Sequence, residues 1–421
     1  MTMSKTSAAA TTAPPCRHCG APMTVTLADL GMSPVANDLV ALDKAADMEP
    51  FYPLEVLACS DCRLAQTRDF KAGDEIFTED YVYFSSMSTS WLEHAKRYVD
   101  AMFDRFGFDE SAKVVEIASN DGYLLKNIKD RGASCLGVEP CQSVALEARR
   151  KGIDTRIEFF GVELAQALVE EGWSADLIPA NNVFAHVPDI NDFTAGLATL
   201  LKPEGVITIE VQHLLRLMQR NQFDTIYHEH FSYLSLHAGM RIFASHGLRV
   251  FDVEEPPTHG GSIRFFVCKE GASHVESPNV ARVLAEEAEY GLGRDNVYLA
   301  WQEQVKETKR ALLELLIKLK REGATIAGYG APAKGNTLLN YCGIGKDFID
   351  FTVDKAPSKQ DKLLPGSRIP ILAPEAIYSR KPDYVLILPW NLKDEIIAQM
   401  SDIRQWGGKF ITPIPHPKIY E

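Results

Sequence analysis

No stretch of the chain approaches the roughly 18 uninterrupted apolar residues that a membrane span needs. Positive charge is also scarce: 44 Lys and Arg stand against 57 Asp and Glu, a net charge of −13. Nucleic acid and anionic membranes both require a concentrated positive field, so neither is expected as a partner. An anionic small molecule stays open, because a few local cations suffice to hold a phosphate. Cysteine is sparse too, eight in 421 residues, too few for a disulfide scaffold. Residues 1–15 lack the apolar core of a signal peptide and read as a disordered tail, with the cytoplasm as default location. What remains, 46% hydrophobic and 24% charged residues, is the make-up of a globular protein of two or three domains.

Four of the cysteines form two C-x-x-C pairs, Cys16/Cys19 and Cys59/Cys62. Each pair sets two thiolates on a tight turn, and two such turns fill the four positions of a tetrahedral zinc ion. Gly20 can relieve the first turn. With all four positions taken no place is left for water or substrate, so the metal is expected to be structural. The 39 residues between the pairs exceed a simple zinc ribbon, and an element near 22–56 must loop out. His18 is expected to face solvent. The competing readings are unrelated thiols or a redox C-x-x-C.

From Lys113 short β-rich runs alternate with helical ones. Val114–Ala118, Ser134–Val138, Leu177–Ala180 and Val206–Val211 read as strands, and residues near 121–131, 143–151, 161–170 and 189–201 as helices. That rhythm implies a parallel, doubly wound sheet with ligands at the carboxyl ends of its strands. The first strand runs into Glu116-Ile117-Ala118-Ser119-Asn120-Asp121-Gly122, where Gly122 is expected to open the helix. The second ends in Val138-Glu139-Pro140, placing a carboxylate 17 residues after Gly122 to accept ribose hydroxyls. The fourth continues into Asn181-Asn182-Val183-Phe184-Ala185-His186.

In that order these segments resemble the class I methyltransferases that alkylate carbon in nucleotide-linked deoxysugars, over nearly the whole chain from Cys16 to His416. The resemblance implies a class I, Rossmann-like α/β methyltransferase domain, preceded by a four-cysteine zinc domain and followed by a Rossmann-like α/β domain. The expected boundaries are 16–75, 76–270 and 271–421. It further implies S-adenosylmethionine as donor beside the structural Zn2+, and a keto-deoxysugar carried on dTDP, GDP or CDP as partner. Glu116, Ala118, Asn120 and Gly122 would line the methionine side, Glu139 would hold the ribose, and Phe159 or Phe160 would flank the adenine. Asn181 and Asn182 would lie beneath the sulfonium. A monomer or small homo-oligomer is expected.

Tyr227-His228-Glu229-His230-Phe231-Ser232-Tyr233 gathers acid/base groups within seven residues. Read as extended chain, it puts His228 and His230 on one face and Tyr227, Glu229 and Tyr233 on the other. A metal-chelating His-x-His and a polar core strand are the other readings. Carbon methylation first needs a carbanion-like centre. A ketone acidifies the neighbouring C–H, a histidine with its ordinary pKa near 6.5 can remove the proton, and a tyrosine hydroxyl can steady the enolate oxygen. By resemblance His230 is the base, with Glu229 and Tyr227 at neighbouring active-site positions. Tyr83, or else Tyr81, would reach the sugar from the Tyr81-Val82-Tyr83-Phe84-Ser85-Ser86 segment. His186, His228 and His259 are candidate sugar contacts.

Behind the methyltransferase, residues 281–322 read as helix with a break at Gly291 and Gly293, followed by a strand and the turn Gly328-Tyr329-Gly330-Ala331-Pro332-Ala333-Lys334-Gly335-Asn336. Such a turn suits a phosphate cradle, with Lys334 adding a point charge. The resemblance implies that this domain helps hold the nucleotide-sugar, with Lys334 and Asn336 as substrate contacts. Asp354, 24 residues after Gly330, leaves a dehydrogenase reading open. The leading expectation for the whole protein is a C-methyltransferase. The rivals are O- or N-methylation of another small metabolite and a zinc-containing binding protein without catalysis.

Overall fold

The computed structural model describes residues 13–68, 86 and 89–421; Tyr81 and Tyr83 lie outside them. Three sheets organise the described chain. The front sheet, in the order β1 (Val25–Ser33), β3 (Tyr52–Ala58), β4 (Ala65–Thr67) and β10 (Ser232–Tyr233), is antiparallel and grows from the inserted element between the cysteine pairs. Its last strand comes from the histidine-rich segment far along the chain, with Ser232 opposite Gln66.

The central sheet has seven strands in the order β11 (Leu248–Glu254), β12 (Ser262–Lys269), β9 (Leu201–Gln212), β8 (Ala175–Asn181), β5 (Lys113–Ile117), β6 (Ser134–Val138) and β7 (Thr155–Arg156). Pairing is parallel from β9 to β7, and β12 runs antiparallel to both neighbours. Counted from Lys113 the order is 3-2-1-4-5-7-6, the doubly wound sheet of class I methyltransferases. The four expected strands are all present. Their apolar side chains pack on both faces under the helices Gln142–Arg150, Val162–Glu170 and Ile190–Leu200. The helix expected from residue 121 is shorter and begins at Leu125. Ala118, Asn120 and Gly122 all take positive φ, 57°, 50° and 76°, so the chain is wound left-handedly and Gly122 closes a turn instead of opening the helix.

The rear sheet runs β19 (Lys418–Tyr420), β18 (Lys409–Thr412), β17 (Tyr384–Ile387), β13 (Ile326–Tyr329), β14 (Thr352–Val353), β16 (Pro370–Leu372), β15 (Lys362–Leu363) and β2 (Val40–Ala41). The five strands from β18 to β16 are parallel. The edge strand β2 belongs to the insertion between the cysteine pairs and pairs with β15.

The helix read over 281–322 is two, Pro278–Tyr290 and Asp295–Arg321, separated where Gly291 takes φ 100° as a left-handed C-cap. The second helix buries Tyr298, Trp301, Val305, Leu312, Leu316 and Leu319 at helical spacing. Each fully buried large apolar side chain contributes on the order of 2 kcal/mol. This stripe joins the front sheet to the rear one, and Trp301 Nε1 donates to Met218 O at 3.0 Å. Among the described residues no helix is long and apolar enough to cross a membrane.

Candidate active site

The carboxyl ends of β5, β6 and β8 converge on one crevice. Glu139 is buried after β6. Its Oε2 accepts from Asn120 N at 3.0 Å and its Oε1 from Cys141 N at 2.9 Å, while burial pushes its pKa up. Glu116, 1% exposed on β5, has its pKa raised well above the ordinary value, by burial first and by Glu139 and Asp121 after it. Glu116 Oε2 and Asn181 Oδ1 are both buried acceptors without a hydrogen-bond partner. Buried acceptors left open call for a donor-rich, cationic group. The ammonium of a methionine moiety meets that demand, so S-adenosylmethionine fits the residues present. The left-handed residues Ala118, Asn120 and Asn182 (φ 53°) rim the crevice. A non-glycine residue there costs about 1–2 kcal/mol, a strain concentrated at binding sites. Phe159 is 56% exposed, whereas Phe160 is half-buried and packs edge-on against Phe193 at 5.3 Å, on the flank of the core.

The histidine-rich segment departs from the extended reading. His230 N donates to Tyr227 O at 2.9 Å, closing a turn that abolishes the alternation of faces. Tyr227 and His230 therefore lie together, ring centroids 3.9 Å apart, and His186 joins them at 4.7 Å from His230. His228 is turned away and buried, its Nε2 3.2 Å from Pro53 O and its ring edge-on to Tyr52. It serves the junction with the front sheet and does not face His230. A shared metal on the two rings is thereby removed. His230 Nδ1 lies 2.9 Å from Thr225 O; a carbonyl only accepts, so Nδ1 carries the proton and Nε2 the lone pair. The imidazole is uncharged, because burial, then the nearby His186, push its pKa well down against the opposing Thr225 carbonyl, and His259 and Lys334 add to the depression. His186 Nδ1 contacts Glu229 O at 2.8 Å, and its pKa falls to about 4, chiefly through burial.

Glu229 is buried, and Oε2 accepts from Asn37 Nδ2 at 2.6 Å; burial raises its pKa to about 7 against the pull of Asn37. His259 sits at φ 53° on the turn before β12, its ring 5.6 Å from Trp91. The front sheet holds the back of this segment: Thr67 N donates to Phe231 O at 3.1 Å, Thr67 Oγ1 to His230 O at 3.0 Å, and Arg17 to Phe231 O.

In the rear domain part of the expected site is engaged in contacts within the chain. At the start of the helix Ala333–Cys342, Ala331 N is already taken by Asp354 Oδ2 at 2.7 Å, and Asp354 Oδ1 accepts from Ala356 N. Asp354 thus stabilises its own loop, and one amide of the glycine turn, Ala331 N, is occupied. Asn336, 1% exposed, donates its Nδ2 to Ala36 O at 2.7 Å and clasps the front insertion, while its Oδ1 is a buried acceptor without a hydrogen-bond partner. Lys334 reaches the other way, bonding Asn391 Oδ1 and lying 4.6 Å over the Trp390 ring.

The cysteine pairs meet as expected. Their four Sγ atoms lie within 4.8 Å of one another, with Cys16–Cys62 at 3.5 Å and Cys19–Cys59 at 3.6 Å. Those separations are far beyond a disulfide and close to the roughly 3.8 Å edge of a tetrahedron with 2.3 Å Zn–S bonds. Cys16 O and Cys59 O accept from Gly20 N and Arg63 N, and Gly20 (φ 74°) and Arg63 (φ 65°) turn the chain in each knuckle. Four thiolates in this arrangement fit a closed structural zinc site. His18 contributes nothing to it; Nδ1 lies 2.9 Å from Asn191 Oδ1. Among the described residues no other cluster of three or more metal-ligating groups occurs.

Sequence reading missed Asn37, Thr67, Asp224, Thr225 and Trp390. Their partners lie 192 residues away for Asn37 and 166 for Asp224, and no local motif announces such pairs.

Three family models match in succession: "Putative zinc binding domain" over residues 16–77, "Methyltransferase domain" over 91–253 and "C-methyltransferase C-terminal domain" over 257–415. The C-methyltransferase NovU of Streptomyces niveus is 38% identical over 404 residues, 96% of each chain. A ubiquinone biosynthesis O-methyltransferase of Bartonella quintana (strain Toulouse) is 29% identical over 101 residues, 24% of this chain and 41% of that protein. Among solved structures, magnesium protoporphyrin IX methyltransferase from Synechocystis PCC 6803 with bound SAM aligns with TM-score 0.34 at 15% identity, over 46% of this chain and 88% of that one. On the full-length relationship and the family models, this chain belongs to the C-methyltransferase family and is an S-adenosylmethionine-dependent C-methyltransferase with a zinc-binding front domain.

Proposed function

We propose that the accepting carbon lies next to the ketone of a nucleotide-linked 4-keto-deoxysugar, at C-3, and that His230 makes it nucleophilic. The observation that carries this reading is the Thr225 carbonyl on His230 Nδ1, which holds a proton on that nitrogen and, in a ring that burial keeps neutral, leaves the Nε2 lone pair beside Tyr227 and His186. His230 Nε2 takes the proton from carbon, and the C–H electron pair moves into an enolate with its charge on the former ketone oxygen. A neutral base suits this step, since a charged imidazolium would hold no lone pair. The Tyr227 hydroxyl faces the developing oxyanion. Glu229 and His186 bind sugar hydroxyls, and His259 and Lys334 flank the remainder of the substrate. Bound S-adenosylmethionine supplies the electrophilic methyl group. Glu139 orients the donor's ribose, Phe159 covers its adenine, and Glu116, Asn181 and Asn182 hold its methionyl end, so that the two carbons meet in line. Tyr81 and Tyr83 remain proposed sugar contacts. In this division residues 16–75 carry the metal, 76–270 the chemistry and 271–421 the nucleotide part of the sugar.

The test is proton exchange without donor. Incubated in heavy water with dTDP-, GDP- and CDP-linked 4-keto-deoxysugars, the enzyme is expected to wash deuterium into C-3 of one of them. His230→Ala should abolish both exchange and turnover, with donor affinity within about twofold of the parent. Deuterium at C-5 would move the methylation site, and wild-type turnover in the variant would remove His230 from the mechanism.

A further inference from the structure

The turn that presents Thr225 to His230 is gripped by the rear domain. Residues Phe223–Thr225 form one turn of 3-10 helix, and its middle residue, Asp224, is 0% exposed. Asp224 Oδ2 accepts from Trp390 Nε1 at 2.6 Å. The same Trp390 ring carries Lys334 Nζ on its face at 4.6 Å, and Lys334 is the cation that acts on Asp224 through space. One residue beyond the turn, Ile226 O accepts from Thr337 Oγ1 at 2.8 Å, a second bond from the rear domain. On the other side, Gln222 Nε2 donates to Gly260 O at 2.8 Å, tying the same turn to the His259 loop. A Cβ on Gly260 would come within 2.9 Å of the Trp390 ring, so the indole is wedged between the two.

A solitary buried carboxylate is costly and persists where it is paired and hydrogen-bonded. Asp224 has both an indole donor and an ammonium counter-charge, each delivered by a chain segment more than a hundred residues away. Burial raises its pKa to about 6 against the opposing pull of Lys334 and Trp390. Its neighbour in sequence is Thr225, whose carbonyl dictates the tautomer of His230. We propose that Asp224 is a positioning residue for His230: clamped by Trp390 and Lys334, it fixes the Phe223–Thr225 turn, so that docking of the rear domain decides which nitrogen of His230 bears the proton. Asp224 touches no reacting atom. Its catalytic meaning rests on His230 being the base, but the geometric claim does not.

The experiment uses the full-length, zinc-loaded protein labelled with 15N-histidine. The His230 resonances are assigned by their loss in His230→Ala. The parent should show a neutral ring with the proton on Nδ1. Asp224→Asn should convert it to a mixture of tautomers. Trp390→Phe, which keeps an aromatic ring beside Lys334 and removes the N–H donor, should do the same and guards against a folding defect in the first variant. Deuterium exchange into the sugar should slow about tenfold in each, with KM unchanged, and the double variant should be no slower than either single one. A His230 tautomer unaltered in both single variants, or losses that multiply in the double one, would overturn the proposal. Altered tautomers combined with normal turnover in His230→Ala would leave this inference standing and remove the base assignment instead.

Discussion

Glu229 illustrates how a single buried carboxyl couples the site to pH. Its pKa is raised from 4.5 to about 7 by burial, so between those values the native state holds a proton that the unfolded chain has released. Stability from this group is complete below pH 4.5 and falls as pH rises through 7, by about 3 kcal/mol at most. Glu229→Gln keeps an acceptor for Asn37 and removes the titration. It should raise unfolding free energy at pH 8 by up to about 3 kcal/mol and leave it nearly unchanged at pH 4.5, measured by urea denaturation. Equal shifts at both pH values would show that the charge of Glu229 is not the cause. The types and positions of Glu229 and His230 were legible from their crowding with Tyr227. Their partners were not, because Asn37 and Thr225 are ordinary polar residues whose importance arises only when distant segments pack.

Among the elements, strands were more legible than turns. The runs that became β5, β6, β8 and β9 announce themselves by short, largely apolar stretches between turn and helix signals, β-branched in β5 and β9. The β5 turn did not, since Ala118 and Asn120 adopt left-handed conformations that their types only weakly favour. The turn at Tyr227–His230 likewise hid within an alternating pattern, which is why His228 was placed beside His230 when it faces Pro53. The β5 turn is supported from below by β6. A Cβ on Gly137 would lie 2.3 Å from Ser119 Oγ, so Gly137→Ala should push the turn outward. Overpacking of this kind costs about 1–3 kcal/mol. Donor affinity should drop about tenfold in titration calorimetry, while zinc content stays at the parent's level. Undiminished affinity would mean that the turn tolerates displacement.

On the scale of the whole molecule, two strands pair with sheets formed by distant parts of the chain: β10 completes the front sheet and β2 extends the rear one. The front sheet also grips His230 and Phe231 through Thr67 and Arg17. Metal removal should therefore reach the chemistry. We expect one zinc per chain by metal analysis. Cys16→Ser, or chelation of the parent, should release it and lower Tm by several degrees, with turnover falling more than tenfold even though no thiolate approaches the substrate. Full activity in metal-free protein would contradict this coupling. Because the front and rear sheets each borrow a strand from elsewhere in the chain, a hybrid enzyme built by swapping the front or rear portion between related proteins would inherit mismatched edges. Grafting for new substrate specificity should therefore transplant residues 34–41 and 222–233 together with any replaced module.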